Sequence, residues 1–398
     1  MNMRNDAKVL AASSPRVAYF AGSMKPGHDG VTRVLYRLID ALTSRSIDHL
    51  FFSPLVPEGS LCSPRIRKVP SIQFPLHREY RLAVPGSGSF EKELAEFKPD
   101  LLHINSPCSL GYAAVRYGNK HGIPVVATYH THFPSYAKYY GVVPLTGFAW
   151  NYMRRLYRGC ERVFVPSVPI TEELRSHGLY NLQFLPHGVD TVAFHPQYRS
   201  QEWREKLGIR SKTILLFVGR LVWEKDLRVL ASAYQLIKER RSDTALVIVG
   251  DGPAREELEH ILPDAIFLGY QSGVSLSEAY ASSDIFLMPS TTETFGNVTV
   301  EAMASGMAPV CAAEGGACGL VQDGSTGLLA RPRDAADFAE KTLMLVEQPG
   351  KRAEIADQAL QFARRQTWDH IFDELIANYN DVLREYRNNH IRDFRRAA

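Results

Sequence analysis

Short apolar runs alternate with longer amphipathic stretches along the whole chain, and this alternation limits the fold more than any other feature. Four runs in the first half have the length of strands, at residues 16–20, 100–104, 124–128 and 162–165. After the first run, residues 31–42 carry apolar side chains at helical spacing. Alternation of strands and helices is typical of parallel βαβ units, so we predict an α/β fold.

The pattern starts again in the second half of the chain. Continuous apolar runs are expected of strands that are covered on both faces, and they occur at residues 213–218, 245–249, 266–268 and 284–288. Residues 195–204 are polar and have no sheet pattern, so we place a linker there. We predict two doubly wound domains, 1–196 and 205–370, that face each other across a cleft. A last helix with one apolar face, within residues 371–398, is predicted to pack back on the first domain.

Composition excludes several classes of protein. The 398 residues are 45% hydrophobic and 22% charged, which is ordinary for a globular protein. The net charge of +3 is low for a protein that wraps nucleic acid, so we predict no nucleic-acid partner. No apolar run reaches the roughly 18 residues that cross a bilayer, and the N-terminal apolar stretch is too short for a signal peptide. Five scattered cysteines without a C-x-x-C pair indicate a reducing cytoplasm.

The loop after the first predicted strand, Gly22–Val31, is rich in glycine. Gly27 and Gly30 lie where the strand turns into a helix. Such a turn lets backbone N–H groups approach a phosphate, and the helix N-terminus favours negative charge. The spacing is not G-x-G-x-x-G, and a plain flexible turn is the alternative.

Two cations follow the strand predicted at residues 213–218. Arg220 offers a planar fork to phosphate oxygens and Lys225 adds a compact charge, so together they suit a diphosphate leaving group. The alternative is two solvated surface cations. A second tight turn after a predicted strand contains Gly252, and this signal is weaker by itself.

The strongest motif runs from Glu293 to Gly306. We predict that a strand leads into a loop and that a helix begins near Gly296 or Asn297, with Glu301 about one turn inside it. The free N–H groups of Phe295, Gly296 and Asn297 would bind sugar hydroxyls. A favourable interaction with the helix dipole would explain one glutamate but not the whole string.

Histidines form a further group of candidates. His130 and His132 follow a predicted strand, and alternate residues of a strand point the same way, which would allow metal binding. No third ligand is evident, so we favour a single histidine that orients an acceptor or a sugar hydroxyl. For His103 we leave two alternatives open. It has a functional role, or it is a core histidine whose ring nitrogens are hydrogen-bonded.

Together these motifs resemble the retaining GT-B glycosyltransferases of family GT4. Residues Glu293–Glu301 look like the family's E-x7-E signature. Gly-Arg at 219–220, Glu-Lys at 224–225, Val-Gly-Asp-Gly-Pro and Gly-Gly at 315–316 occur in the family's order. Residues 103–107 and 129–136 are similar to GDP-mannose-dependent mannosyltransferases and to sulfoquinovosyl-type glycolipid glycosyltransferases. The resemblance implies two Rossmann-like domains, with the acceptor side first and the nucleotide-sugar side second.

The resemblance also implies roles for individual residues. Glu301 would bind the nucleotide ribose, and Glu293 would contact the transferred sugar. The other implied contacts are those of Arg220 and Lys225 with the diphosphate, Gly27 and Gly30 with the donor from the opposite domain, Gly252 with the donor, Phe295, Gly296 and Asn297 with sugar hydroxyls, and His130 with the donor sugar. The chain departs from the family at Asp226, where glycine is common after Glu-Lys, and near Gly319, where a carboxylate is expected.

The implied reaction moves a hexose, mannose or a related sugar, from a GDP-sugar or UDP-sugar to a hydroxyl of a glycolipid or polysaccharide, with retention. No Asp-x-Asp triplet occurs, and fixed cations can stabilise the leaving group, so we predict no metal and no cofactor. The alternatives are an epimerase of the same architecture, a glycoside hydrolase with paired carboxylates, and a silent sugar-nucleotide-binding protein.

The acceptor side shows a basic amphipathic pattern. Residues 139–162 mix apolar side chains with Arg154, Arg155, Arg158 and Arg162, and the C-terminal tail is rich in arginine. Such a face suits anionic lipid headgroups, which predicts peripheral binding to the inner face of the plasma membrane and a lipid-linked acceptor. A core-packing helix with a solvated basic side is the alternative.

Overall fold

The computed structural model describes residues 14–25, 30–57, 63–74, 77–84, 89–130, 146–210 and 212–397. The chain divides into two compact units. The first contains the residues up to Thr128, Gly159–Arg162 and those from Ile376 onward, and the second contains Tyr129–Arg158 and Val163–Leu375. The domain limits predicted from the sequence, 1–196 and 205–370, stay a prediction.

The first unit is built around parallel strands in the order β3-β2-β1-β6-β7, with β4 and β5 forming a separate antiparallel pair. Its strands are β1 (Val17–Phe20), β2 (His49–Ser53), β3 (Ile66–Lys68), β4 (Ser71–Phe74), β5 (His77–Ala83), β6 (Leu101–Ile104) and β7 (Val125–Thr128). Its helices are α1 (Gly30–Ser44), α2 (Ser89–Phe97), α3 (Ser109–His121) and the last part of α13 (Trp368–Ala397).

Burial explains why these segments form strands. Strands β1, β6 and β7 have four residues each, and all of these residues are buried. This is expected of strands in a sheet that is covered on both faces. The predicted strands at 16–20, 100–104 and 124–128 are confirmed to within one residue at each end. Helix α1 extends the predicted 31–42 segment and buries its apolar stripe, which includes Val34, Leu35, Leu38 and Leu42.

A buried polar network lies in the core of the first unit. His103 on β6 has one ring nitrogen 2.6 Å from the Tyr379 hydroxyl and the other 2.7 Å from the Thr128 hydroxyl. Tyr379, on α13, is also 3.2 Å from the hydroxyl of Tyr19 on β1. His103 is 1% exposed and both of its nitrogens have partners, so it is a satisfied core histidine.

This network predicts that acid destabilises the first unit. Burial lowers the pKa of His103 to about 3, whereas an unfolded histidine titrates near about 6.5. As the pH falls below about 6.5, the unfolded chain binds a proton that the folded chain excludes. The free energy of unfolding should therefore fall by about 1.4 kcal/mol per pH unit from this residue alone. Denaturant titrations at pH 7.5 and pH 5.5 measure this fall in the free energy of unfolding. Equal free energies of unfolding at the two pH values would contradict the prediction.

The second unit contains a six-stranded parallel sheet in the order β12-β11-β10-β13-β14-β15. These strands are β10 (Thr213–Val218), β11 (Thr244–Val249), β12 (Ile266–Gly269), β13 (Ile285–Met288), β14 (Ala308–Ala312) and β15 (Leu328–Ala330). Strand β8 (Arg162–Val165) pairs in parallel with β9 (Leu182–Phe184). The helices are α4 (Thr146–Tyr157), α5 (Val168–Ser176), α6 (Gln201–Lys206), α7 (Leu227–Arg240), α8 (Arg255–Ile261), α9 (Gly273–Ala281), α10 (Asn297–Ala304), α11 (Ala335–Glu347), α12 (Pro349–Arg365) and the start of α13.

The strand order of this sheet is that of a doubly wound fold. Successive strands are added outward on one side of β10 and then, from β13 onward, on the other side, so the order reverses between β10 and β13. Alternate residues of β10 enter two different hydrophobic clusters, with Leu216 on one face and Phe217 on the other. The predicted α/β architecture is therefore confirmed, and its topological switch point lies between β10 and β13, where ligands bind in open α/β sheets.

The segment that we predicted as a linker is folded. Residues Pro196–Tyr198 form a 3₁₀ turn, and α6 follows. Arg204 of α6 is buried, and its guanidinium lies 3.3 Å from the carboxylate of Asp284. The polar residues of this segment therefore fasten it to the second unit. None of the helices among the described residues is long and apolar enough to cross a membrane.

Candidate active site

Two of the predicted catalytic residues meet at the switch point. Lys225 ends the 3₁₀ turn Trp223–Lys225, which follows β10, and Glu293 lies in the loop that follows β13. The Lys225 ammonium donates a hydrogen bond to the Glu293 carboxylate. Both side chains are largely buried, with 23% and 19% of their surfaces exposed. Because β10 and β13 are parallel neighbours, their carboxyl ends lie at the same edge of the sheet. The residues that follow these strands, Lys225 and Glu293, can therefore meet there.

The loop after Glu293 leads into the N-terminus of α10. Gly296 precedes this helix with a φ of 93°, and a Cβ atom there would lie 2.9 Å from the Ala317 side chain. The backbone N–H groups of Phe295, Gly296 and Asn297 have no acceptor among the described residues. The predicted helix start is confirmed, and three amide donors are available there.

Glu301 lies one turn inside α10, and only 8% of it is exposed. The hydroxyl of Tyr280, on α9, donates a hydrogen bond of 2.9 Å to the Glu301 carboxylate. Tyr280 was missed in the sequence because a buried tyrosine on a helix has the pattern of an ordinary core residue. The contact orients one carboxylate oxygen of Glu301, while its predicted role toward a ribose stays a prediction.

His130 is joined to the same loop. The Thr294 hydroxyl donates a hydrogen bond of 2.9 Å to the His130 carbonyl. His187, which the sequence reasoning also missed, lies with its ring centre 5.6 Å from that of His130 and 4.9 Å from that of Phe295. No spacing signal distinguishes His187 in the string Pro-His-Gly-Val-Asp.

His187 supports the first residue of α10. Its Nδ1 lies 2.9 Å from the Asn297 side-chain oxygen, which can only accept, so Nδ1 carries the proton. Burial lowers the pKa of His187 to about 4, and the ring is therefore neutral near pH 7. The Nε2 atom has no partner among the described residues.

The other predicted residues lie in different places. Arg220 is exposed at the end of β10. Gly252 is required for packing, because a Cβ atom there would lie 2.4 Å from the Leu221 carbonyl oxygen. Gly30 begins α1 in the first unit, and Gly27 lies outside the described residues. The donor contacts implied for these four residues stay predictions.

The two departures from the family pattern have structural explanations. Asp226 has a φ of 54°, in the left-handed region that glycine adopts most easily, and its carboxylate accepts hydrogen bonds from Thr291. At Gly319 a Cβ atom would lie 3.0 Å from Pro169, near the start of α5. A side chain at position 319 would therefore need Pro169 to shift.

Metal ligation by the histidines is not supported in the part of the chain that the structure describes. No group of three or more His, Cys, Asp or Glu side chains there could hold a metal ion, and His132 falls outside it.

Comparisons with known proteins agree with this arrangement. Residues 28–193 match the family model Glycosyltransferase Family 4, and residues 199–362 match Glycosyl transferases group 1. A GDP-mannose-dependent alpha-mannosyltransferase of Corynebacterium glutamicum is 33% identical over 377 residues, which are 92% of this chain and 89% of that protein. The chain belongs to glycosyltransferase family GT4.

One further relative and two solved structures are similar to this glycosyltransferase. The sulfoquinovosyl transferase SQD2 of Arabidopsis thaliana is 35% identical over 75% of this chain and 60% of that protein. Anabaena HepE, solved with UDP and glucose, has a TM-score of 0.72 at 21% identity and covers 92% of this chain and 99% of its own. Sucrose-phosphate synthase of Thermosynechococcus elongatus has a TM-score of 0.74 at 20% identity. The match covers 93% of this chain and 100% of that chain. The glycosyltransferase therefore has the GT-B fold that the resemblance implied.

Proposed function

We propose that this glycosyltransferase moves mannose from GDP-mannose to a hydroxyl of a lipid-linked or carbohydrate acceptor, with retention at the anomeric carbon and without a metal ion. GDP-mannose-dependent alpha-mannosyltransferases of Corynebacterium glutamicum and Mycolicibacterium smegmatis, 33% and 35% identical, support the choice of donor. The SQD2 relative supports a glycolipid as one class of acceptor.

The observation that carries this proposal is the Lys225–Glu293 pair at the switch point. A fixed ammonium at this edge of the sheet is suited to the β-phosphate of a sugar nucleotide as it leaves, since negative charge builds up there in the transition state. When the diphosphate takes the Lys225 ammonium, Glu293 becomes available to accept hydrogen bonds from hydroxyls of the transferred sugar. The three amides at the start of α10 offer the matching donors.

The reaction needs a proton acceptor as well as charge stabilisation. The bond between the anomeric carbon and the diphosphate oxygen breaks, and the acceptor oxygen attacks from the same face as the leaving group. The acceptor proton passes to the departing phosphate oxygen, so GDP leaves and the configuration is retained. The preorganised charge of Lys225 replaces the Lewis acid that a metal ion would supply, and Arg220 is the second cation that the sequence offers for this role.

A donor panel tests the proposal. Thermal unfolding is followed with GDP, UDP and ADP and with their sugars, because a ligand that binds the folded state raises its melting temperature. We expect the largest shift with GDP and GDP-mannose, and the same shift in the presence of EDTA. A larger shift with UDP or ADP would overturn the choice of donor, and a shift that requires Mg²⁺ would overturn metal independence.

Product analysis separates the transferase from its alternatives. GDP release from GDP-mannose should increase when a detergent extract of bacterial membrane lipids is added, and the mannosylated product should carry the α configuration. Conversion of GDP-mannose to an isomeric GDP-sugar, without release of GDP, would instead indicate an epimerase. Binding of GDP-mannose with no turnover in any extract would indicate a silent binding protein.

Peripheral membrane binding is part of the same proposal and is supported by α4. This helix exposes Phe148, which is 71% accessible, and Arg155, and the exposed Arg158 directly follows its last residue. An exposed aromatic residue and two exposed cations on one short segment suit the boundary of an anionic bilayer. Arg162 does not contribute to this face, because it lies 2.8 Å from Asn378 and 3.0 Å from Glu385 on α13. Residues 139–145 lie outside the described part of the chain.

Vesicle sedimentation tests this part of the proposal. Binding to phosphatidylglycerol vesicles at low salt should be lost at high salt. An Arg155→Glu/Arg158→Glu variant should bind at least about 30-fold more weakly, at about 1 kcal/mol per basic residue. Phe148→Ser should also weaken binding, whereas Tyr180→Ser, at another exposed aromatic residue, should not. Equal binding of all variants would contradict a role for α4.

A further inference from the structure

Asp226 joins the two loops that carry Lys225 and Glu293. It directly follows Lys225, and one of its carboxylate oxygens accepts two hydrogen bonds from Thr291, one from the backbone N–H at 2.9 Å and one from the hydroxyl at 2.8 Å. Thr291 precedes Glu293 by two residues in the loop after β13. The Asp226 side chain is only 11% exposed, so these charge-assisted hydrogen bonds are shielded from water.

Arg333 adds a second set of contacts to Asp226 and Thr291. Arg333, in the segment after β15, donates a hydrogen bond of 2.8 Å to the Thr291 hydroxyl and one of 3.1 Å to the Glu314 carboxylate. Its Nε atom lies 3.8 Å from the other carboxylate oxygen of Asp226. The Thr291 hydroxyl therefore donates to Asp226 and accepts from Arg333, which determines its orientation. This hydroxyl connects the loops after β10, β13 and β15, and Arg333 adds the loop after β14 through Glu314.

The turn itself does not require an aspartate. The φ of 54° at position 226 is one that glycine adopts without steric cost, so the backbone conformation alone does not call for a carboxylate. What distinguishes aspartate here is its carboxylate, whose contacts run to the loop that carries Glu293.

We propose that Asp226 is a positioning residue that sets the distance between the Lys225 ammonium and the Glu293 carboxylate by fastening their loops together through Thr291. This inference rests on the roles proposed above for Lys225 and Glu293. Asp226 does not touch the substrate in this scheme. It acts by holding the cation where the diphosphate leaves, so its removal should reduce turnover more than donor binding.

Asp226→Gly is the decisive variant, because glycine keeps the backbone conformation and removes only the carboxylate. We expect kcat for GDP-mannose turnover to fall about 10-fold to 100-fold, the scale of a small misplacement, while KM for GDP-mannose changes much less. Asp226→Asn retains an oxygen that can accept the Thr291 N–H and should be intermediate. Thr291→Val should resemble Asp226→Gly, and Thr291→Ser, which keeps the hydroxyl, should resemble the unaltered protein.

A double-mutant cycle distinguishes positioning from a general loss of stability. If Asp226 acts through Lys225, the Asp226→Gly change should cost little further activity in a Lys225→Ala background. Additive losses, or a loss of kcat that parallels a fall in melting temperature, would overturn the proposal. Unchanged kcat in Asp226→Gly alongside reduced kcat in Lys225→Ala would overturn the positioning role and leave the proposed function intact. Unchanged kcat in Lys225→Ala would show that the proposed function itself has failed.

Discussion

Replacing Lys225 by alanine should lower turnover of the sugar-nucleotide donor by a factor on the order of 10²–10³, the usual loss when one preorganised charge-stabilising donor is removed. The Lys225 ammonium contacts Glu293, at the edge of the sheet where the leaving diphosphate is proposed to lie. Its loss leaves the departing charge with less stabilisation and leaves the Glu293 carboxylate unpaired. Steady-state release of GDP from GDP-mannose measures the effect, which should appear mainly in kcat.

A second Lys–Glu pair provides the control for this variant. Lys206 and Glu202 form an ion pair on α6, where both side chains are more than 70% exposed, so Lys206→Ala removes the same chemical group away from the switch point. We expect Lys206→Ala to have unaltered turnover, and Lys225→Arg, which retains a cation, to recover part of the lost activity. Wild-type turnover in Lys225→Ala would contradict the leaving-group role.

Gly316→Ala should be among the most destabilising single-methyl changes in the second unit. A Cβ atom at this position would lie 1.9 Å from the Thr294 carbonyl oxygen and 2.6 Å from the Phe295 nitrogen. These are backbone atoms, so no side-chain rotation relieves the overlap and the loop itself must move. We expect the free energy of unfolding to fall by about 1–3 kcal/mol, which is the usual cost of overpacking. GDP affinity should also fall about tenfold or more, because the displaced loop carries Glu293 and the start of α10.

Gly350→Ala is the matched control for this change. Gly350 lies in the first turn of α12, where a Cβ atom would meet nothing within 4 Å. Alanine is the better helix former, so this variant should be neutral or more stable by up to about 1 kcal/mol. Thermal and denaturant unfolding of the two variants, with isothermal titration of GDP, make the comparison. Equal stability of both variants would mean that the loop accommodates a methyl group without moving.

The strands and the start of α10 were predictable from local pattern. Continuous apolar runs identified β10 at Thr213–Val218 without error, because a strand covered on both faces needs apolar side chains at every position. The helix start near Asn297 was predicted from a strand followed by a loop that contains Gly296, and α10 begins at Asn297. The roles of Tyr280 and His187 were not predictable, since their partners, Glu301 and Asn297, lie 21 and 110 residues away along the chain.

The sequence of side chains within short segments of the chain was enough to determine the class of fold, the limits of most strands and the residue types of the candidate site. Each of these depends on which side chains can be buried or exposed within a few neighbouring positions. Tertiary structure alone decided that Lys225 and Glu293 meet, that His103 is a core residue and that Asp226 binds Thr291. These contacts depend on which strands become neighbours in the sheet, and that order is set by the packing of the whole unit rather than by any one segment.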